Sequence, residues 1–222
     1  MDLFETKIPA KASDQIRAIN PTEAARYRLI GLDYQSSKKF DKAIAAMQRS
    51  VELDPQNAAG KINLGWALHL SNRDAEAQKV LEKAVKEHPH NVSAYNALGI
   101  VYLVTGQLNK AVSAHKSAIN LDKQDEIAYY NLSLSYNLLG DYEEAIEQGK
   151  KAALLEPHNP HPLVTIALNF WSKGNKTSSR NYYKRAVSLD DRYLNQQYLD
   201  NLKKAGFSPN QIKEAKMILK TL

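Results

Sequence analysis

The chain has 222 residues, of which 43% are hydrophobic and 24% are charged, and it contains no cysteine. This composition is typical of a globular protein with a sizeable core, and it excludes a disordered chain, disulfides and thiolate metal sites. The formal net charge of +6 keeps acidic proteins, anionic lipid and nucleic acid open as classes of ligand.

Residues 1 to 23 are interpreted as an N-terminal leader. Asp2, Glu5 and Lys7 precede any apolar run, which argues against a signal peptide and, with the absence of cysteine, favours a cytoplasmic protein. A short helix is expected near Asp14 to Ile19. Leu3, Phe4 and Ile8 are expected to cover the end of the following domain, to lie in its groove, or to belong to a partly disordered terminus.

Residues 24 to 193 divide without a gap into five stretches of 34 residues. The stretches are 24–57, 58–91, 92–125, 126–159 and 160–193. The eighth residue of each is small: Gly31, Gly65, Gly99, Ser133 and Ala167. Positions twenty and twenty-seven are also small, whereas positions seven and eleven are large and apolar. Small residues allow two helix backbones to approach closely, so the pattern predicts one packed helix pair in each stretch.

This pattern resembles the tetratricopeptide repeat (TPR) family, whose unit of 34 residues is a pair of antiparallel helices. Pro55, Pro89 and Pro157 match the family's proline near position thirty-two, and Asn57, Asn91 and Asn159 are candidate N-caps of the next helix. The resemblance implies an all-α fold, a right-handed αα superhelix with a concave surface where family members usually bind. The C-terminal portion is similar to stand-alone TPR proteins of photosynthetic bacteria.

Some positions depart from the family pattern. Lys61 stands at position four, where an aromatic residue is usual, and Gly149 stands at position twenty-four, where a bulky residue is usual. Lys123 and Asp191 replace the proline in the third and fifth stretches.

In the TPR family, positions two, five, nine, twelve and thirteen of the first helix line the concave groove. Position nine is apolar in all five stretches: Leu32, Trp66, Ile100, Leu134 and Leu168. Further apolar residues lie beside it: Ile62, Leu70, Leu103, Val104, Tyr130, Leu138, Val164 and Trp171. Polar residues that could hold the backbone of a ligand are Arg28, Asn63, Asn96, Asn131 and Asn137.

A contiguous apolar patch of this extent indicates an interaction site, and its shape suits an extended peptide or an amphipathic helix. Trp66 and Leu134 are the expected anchors of such a ligand. The alternative is that tight curvature of the superhelix or the leader buries these side chains.

Residues 194 to 222 are predicted to form a two-helix C-terminal cap. Leu194, Tyr198 and Leu202 follow the spacing of one helix, and Ser208-Pro209 opens a second that carries Ile212, Ala215 and Leu219. Residues 160 to 222 contain 11 lysines and arginines against 4 acidic residues. This basic end is either an ordinary solvated surface or a site for an acidic partner, a membrane surface or nucleic acid. Nucleic acid is disfavoured because no recognised module accompanies the charge.

Catalytic, metal and cofactor signatures are absent from the sequence. It has no glycine-rich phosphate loop, no H-E-x-x-H and no G-x-S-x-G, so neither an enzyme nor a cofactor is predicted. His88 with His90 and His158 with His161 lie at junctions between the stretches without acidic or thiolate partners, so no metal site is predicted.

A chaperone C-terminal tail is also a disfavoured ligand. The five positions with which some TPR cochaperones grip such a carboxylate hold Arg28, Leu32, Asn63, Ser93 and Ala97. Of these, only Arg28 and Asn63 could make the required charge-assisted or polar hydrogen bonds.

The sequence therefore predicts a non-catalytic protein-interaction scaffold or assembly factor that binds a hydrophobic peptide or an amphipathic helix in the groove. Two alternatives stay open: a regulator of an enzyme held in trans, and a binder of an acidic partner, membrane surface or nucleic acid through the basic end. A membrane span is not predicted, because the uncharged stretch Asn91 to Asn109 carries too many polar side chains.

Overall fold

The computed structural model describes residues 19 to 222, and it is all-α, as predicted, with no β-strand among those residues. Leu3, Phe4 and Ile8 lie outside the described residues. The expected leader helix, near Asp14 to Ile19, also lies outside them except for Ile19. Ten α-helices of 13 to 16 residues come first. They are α1 (Pro21–Ser36), α2 (Phe40–Leu53), α3 (Ala58–Leu70), α4 (Asp74–Glu87), α5 (Val92–Val104), α6 (Leu108–Leu121), α7 (Glu126–Leu139), α8 (Tyr142–Leu155), α9 (Pro160–Ser172) and α10 (Lys176–Leu189).

The helices pack as consecutive pairs, one in each stretch of 34 residues, and each pair packs on the next. We call the odd-numbered helices A helices and the even-numbered ones B helices. A solenoid of this kind buries a continuous core only through contacts between neighbouring repeats, because a single helix pair leaves apolar surface exposed.

Capping side chains and one left-handed residue set the boundaries of the paired helices. The A helices have N-cap side chains that accept a hydrogen bond from a backbone N–H of the first turn: Asn20, Asn57, Asn91, Asp125 and Asn159. Position fifteen of each repeat has a φ between 57° and 82°: Lys38, Asn72, Gly106, Gly140 and Gly174. Since this left-handed residue ends the A helix in every repeat, all five pairs share one turn geometry.

The two helices of a pair approach each other closely at the eighth residue where it is glycine. In the first three repeats, a Cβ added to this glycine would lie 2.5 to 2.6 Å from the side chain at position twenty-four. The facing pairs are Gly31 with Met47, Gly65 with Leu81 and Gly99 with His115. In the fourth repeat the glycine is at position twenty-four instead, and Ile166 of the next A helix comes within 2.9 Å of where a Cβ of Gly149 would be.

Lys61, which replaces the usual aromatic residue, is buried with 3% of its surface exposed. Its ammonium lies 2.5 Å from the Glu87 carboxylate and also donates to the backbone carbonyl of Pro55. The hydrogen bond from Lys61 lowers the pKa of Glu87. A buried cation needs such partners, because removing an ammonium from water is costly.

After the fifth pair, the chain continues through two 3-10 helices, Asp191–Leu194 and Tyr198–Ala205, and ends in α11 (Pro209–Leu219). The prediction of two α-helices is therefore wrong for the first of them. A 3-10 helix has three residues per turn, so Leu199 and Leu202 are buried together, whereas Leu194 is 55% exposed. The start of α11 is confirmed: Ser208 and Gln211 form a reciprocal capping box.

We call residues 198 to 219 the C-terminal segment. Its buried side chains are Leu199, Leu202, Phe207, Gln211, Ile212, Ala215 and Ile218. The apolar ones share a hydrophobic cluster with the fourth and fifth repeats, and α11 packs on both α9 and α10. The segment thus covers apolar surface of the last repeats, as a cap must.

No helix within residues 19 to 222 has the length and apolar character needed to cross a membrane. The uncharged stretch Asn91 to Asn109 is divided between α5 and the start of α6.

His115 is expected to make the stability of the fold depend on pH. Its imidazole is fully buried against Gly99, and burial lowers its pKa from 6.5 to about 3. Between these values the unfolded chain binds a proton that the folded chain excludes, so stability falls as pH decreases through this range. We expect His115→Leu to flatten the dependence of unfolding free energy on pH by up to about 1.4 kcal/mol per pH unit.

Leucine is a suitable replacement because Leu81 fills the same position against Gly65 in the second repeat. Urea unfolding measured at several pH values between about 6.5 and 4 checks this prediction. His90→Leu, at an exposed histidine, is the control, and an unchanged slope in His115→Leu would contradict the assignment.

The C-terminal segment is expected to be required for stability. Each large apolar side chain that it buries contributes about 1.5 to 3 kcal/mol, so we expect deletion of residues 198 to 222 to lower Tm by about 10 °C or more and to promote self-association. Calorimetry and light scattering measure both effects. Met217→Ser, at a position 39% exposed, should change neither; a truncated protein that stays monomeric with an unaltered Tm would show that the segment is dispensable.

Candidate functional site

The eighteen predicted groove residues lie on the A helices, at spacings of three and four residues that place most of them on one side of each helix. We call this surface the groove face. Its exposure differs between the two ends of the solenoid. Leu32 and Val104 are 42% and 45% exposed, whereas Leu134 and Leu168, at position nine of the last two repeats, are completely buried.

Most of the exposed part lies in the first three repeats, and we call the part in those repeats the open half. It consists of Leu32, Ile62, Trp66, Leu70, Ile100 and Val104, all of them half-buried or exposed. The Trp66 ring lies 5.2 Å from the ring of His69, whose Nδ1 is 2.6 Å from a carboxylate oxygen of Asp74. Leu138, at the end of α7, is also 37% exposed. Leu103, also predicted to line the groove, is instead buried in the core.

The buried part belongs to the fourth and fifth repeats, and we call it the closed half. Leu134, Val164 and Leu168 share one hydrophobic cluster with the C-terminal segment. A Cβ added to Gly206 would lie 3.4 Å from Cδ1 of Leu134, so the segment's backbone rests on this side chain. The prediction that these three residues bind a partner is corrected here, because the chain itself covers them.

Two polar contacts hold the C-terminal segment against α7. The Tyr130 hydroxyl donates to the backbone carbonyl of Ala205, and the Tyr130 ring lies 6.2 Å from the ring of Phe207. Burial raises the pKa of Tyr130 well above its ordinary value, so this hydroxyl keeps its proton and stays a donor. Gln211 Nε2 donates to Asn137 Oδ1 over 2.6 Å.

Most of the polar side chains that were predicted to contact a ligand form hydrogen bonds within the chain instead. Asn96 donates to the Asp125 carboxylate over 2.6 Å, and Asn131 donates to the carbonyl of Ile127 over 2.9 Å. Asn137, besides accepting from Gln211, donates to Asn169 Oδ1 over 2.7 Å. These three asparagines therefore serve as internal contacts, which corrects their assignment to a ligand.

Arg28 and Asn63 are the remaining predicted polar residues, and both are half-buried. Nη1 of Arg28 lies 3.4 Å from the Ser50 hydroxyl, a long hydrogen bond. At the other end of the groove face, Trp171 is half-buried and its ring faces the ammonium of Lys176.

His161, interpreted from sequence as a loop histidine, lies in the first turn of α9 and is half-buried. Its Nδ1 and the hydroxyl of Tyr193 share a hydrogen bond of 2.5 Å, and the hydroxyl of Tyr183 donates to the Tyr193 carbonyl. Burial lowers the pKa of His161, which favours the neutral imidazole. Within residues 19 to 222, no group of three histidine or acidic side chains is arranged to hold a metal ion.

Sequence reasoning missed the contact between the C-terminal segment and α7. The residues that form it, such as Asn137 and Gln211, are 74 positions apart, so no local periodicity reports their proximity. The sequence does contain a partial signal. The apolar residues Leu199, Leu202 and Phe207 follow the fifth pair closely and indicate that this part of the chain packs on another surface.

Comparisons with known proteins agree with this architecture. The family described as cytochrome c-type biogenesis protein H TPR domain matches residues 18 to 129, about half of the chain. The tetratricopeptide repeat itself matches residues 127 to 159 and 161 to 193. A comparison with curated proteins found no match.

Solved structures include several similar solenoids. The crystal structure of MamA is 27% identical, with a TM-score of 0.65 over 73% of this chain and 95% of that chain. A thermophilic TPR protein of Thermus thermophilus is 19% identical, with a TM-score of 0.67 over 82% and 98%. YrrB, described as a TPR protein with an unusual peptide-binding site, is 19% identical, with a TM-score of 0.62 over 82% and 92%.

The family matches span the repeats from end to end, and the helix pairs, turns and small-residue contacts recur with the same period in the structure. TPR proteins are generally non-catalytic protein-interaction modules. The chain therefore belongs to the tetratricopeptide repeat family and has the fold of a protein-interaction scaffold.

Proposed function

We propose that this protein binds a hydrophobic peptide or an amphipathic helix of a partner protein along the open half of the groove face. One observation supports this more than any other: the closed half already holds an amphipathic segment of the chain itself. Position nine is apolar in all five repeats, so a surface of the same character continues into the first three, where no other element within residues 19 to 222 covers it. An apolar groove with this helical lining suits an amphipathic ligand.

Trp66 is the proposed anchor of the partner. It stands at position nine in the middle of the open half, between Leu32 and Ile100, and it is half-buried before any ligand binds. Tryptophan at the centre of an interface commonly contributes about 2 kcal/mol or more to binding. Leu134, the second anchor expected from sequence, is covered by the C-terminal segment and is not part of this proposal.

The proposed role is that of a non-catalytic scaffold or assembly factor. Regulation of an enzyme held in trans is one form that such a role could take, since it needs the same groove and no catalytic residue of this chain. A cytoplasmic location stays a prediction that rests on the cysteine-free sequence.

Charged substitutions in the open half are expected to abolish partner binding without unfolding the protein. Leu32→Asp combined with Val104→Asp changes two side chains that are 42% and 45% exposed, so helicity by circular dichroism should be retained. We expect capture of the partner, identified by cross-linking at the groove and mass spectrometry, to fall by about tenfold or more, because two carboxylates would be desolvated on binding.

Leu154→Asp is the matched control, because Leu154 is 80% exposed on α8, a B helix that does not contribute to the groove face. Binding through apolar contacts should also persist at high salt, whereas binding through the basic end alone would be screened. Equal loss of capture in the groove variant and the control, or no loss in either, would refute groove binding.

A further inference from the structure

The groove face is free of acidic side chains. Positions two, five, nine, twelve and thirteen of the A helices hold no aspartate or glutamate in any of the five repeats. The ionisable side chains with basic character at these positions are Arg28, His69 and His161. A negatively charged ligand therefore meets no carboxylate at these positions, and the Asp74 carboxylate beside them is hydrogen-bonded to His69 over 2.6 Å.

The C-terminal segment adds positive charge beside this surface. Lys203 and Lys213 of the segment and Lys220, which directly follows it, are exposed, and none of them forms an ion pair with another described residue. The two carboxylates of the segment are engaged: Asp200 pairs with Lys216 over 2.6 Å, and Glu214 is half-buried 3.4 Å from the Ser172 hydroxyl. The charge that the segment leaves unpaired is thus positive.

The position of two of these lysines follows from the contacts of their neighbours. Lys203 comes three residues before Gly206, which rests on Leu134 of α7. Lys213 comes two residues after Gln211, which is hydrogen-bonded to Asn137 of α7. Each lysine is thus within three residues of a contact with α7, and α7 packs against α5, the last A helix of the open half.

We propose that the partner segment bound in the open half is an acidic amphipathic helix. This inference rests on the proposed function and adds the charge of the ligand to it. The apolar stripe of the helix packs on Leu32, Trp66 and Ile100, and its aspartates and glutamates face Lys203 and Lys213. The C-terminal segment then has two functions: it covers the closed half, and its lysines select the charge of what binds next to it.

Two synthetic helical peptides test this inference on the full-length protein. Both carry leucine at the same helical spacing, and the remaining positions are rich in glutamate in one peptide and in lysine in the other. We expect calorimetry at low salt to show about tenfold tighter binding of the glutamate peptide, since each exposed charge pair contributes only a small factor. The preference should shrink at high salt.

Substitution of the two lysines isolates their contribution. We expect Lys203→Glu combined with Lys213→Glu to remove most of the preference for the glutamate peptide. Lys79→Glu combined with Lys86→Glu, at exposed lysines of α4, changes the net charge by the same amount and should preserve the preference. Circular dichroism verifies that both variants are folded.

The outcomes separate the inference from the proposed function. Equal affinity of the two peptides, with binding lost in Leu32→Asp/Val104→Asp, overturns the acidic ligand and leaves groove binding intact. A preference that persists in Lys203→Glu/Lys213→Glu also overturns the inference. If neither peptide binds, or if binding ignores Leu32→Asp/Val104→Asp, groove binding itself is refuted and the inference with it.

Discussion

The solenoid depends on a close contact that the first three repeats share, between the small eighth residue of the A helix and the residue at position twenty-four of the B helix. Where the first is glycine, the second is a large side chain that occupies the missing Cβ volume, as Leu81 does against Gly65. This contact fixes the distance between the paired backbones, and its repetition aligns the A helices side by side. The continuous groove face is a consequence of that alignment. Gly149 shows the constraint reversed, because Ile166 of the following repeat fills the space that a large residue would occupy.

A solenoid leaves apolar surface exposed at its end, and the C-terminal segment of this chain covers that end. A minimal cap would pack only on the last helix pair. Here the C-terminal segment also extends onto α7, where Tyr130 and Asn137 bind its backbone and side chains. Since these polar groups are largely removed from water, their hydrogen bonds are needed to avoid a desolvation penalty. They also hold the segment on α7, the A helix that follows the open half.

This arrangement has a functional consequence. The residue at position nine is apolar in all five repeats, but in the folded chain these residues have different roles at the two ends of the solenoid. Leu134 and Leu168 stabilise the fold, whereas Leu32 stays exposed and Trp66 and Ile100 stay partly exposed. The segment that covers Leu134 and Leu168 carries exposed lysines that pair with no other described residue. In the function that we propose, packing and ligand selection are combined in one short stretch of chain.

The sequence by itself determined the repeat architecture, because that architecture depends on local signals. Small residues at fixed spacing, the N-cap asparagines and the capping box at Ser208 each act within one or two helical turns, and the structure contains all of them. What only the tertiary structure decided is which part of the groove face is open. The contacts that close it join residues 74 and 75 positions apart, and such pairs leave no periodic trace in a single sequence. The same applies to the 3-10 helix at Tyr198–Ala205, whose turn is set by the surface on which Leu199 and Leu202 pack rather than by its own propensity.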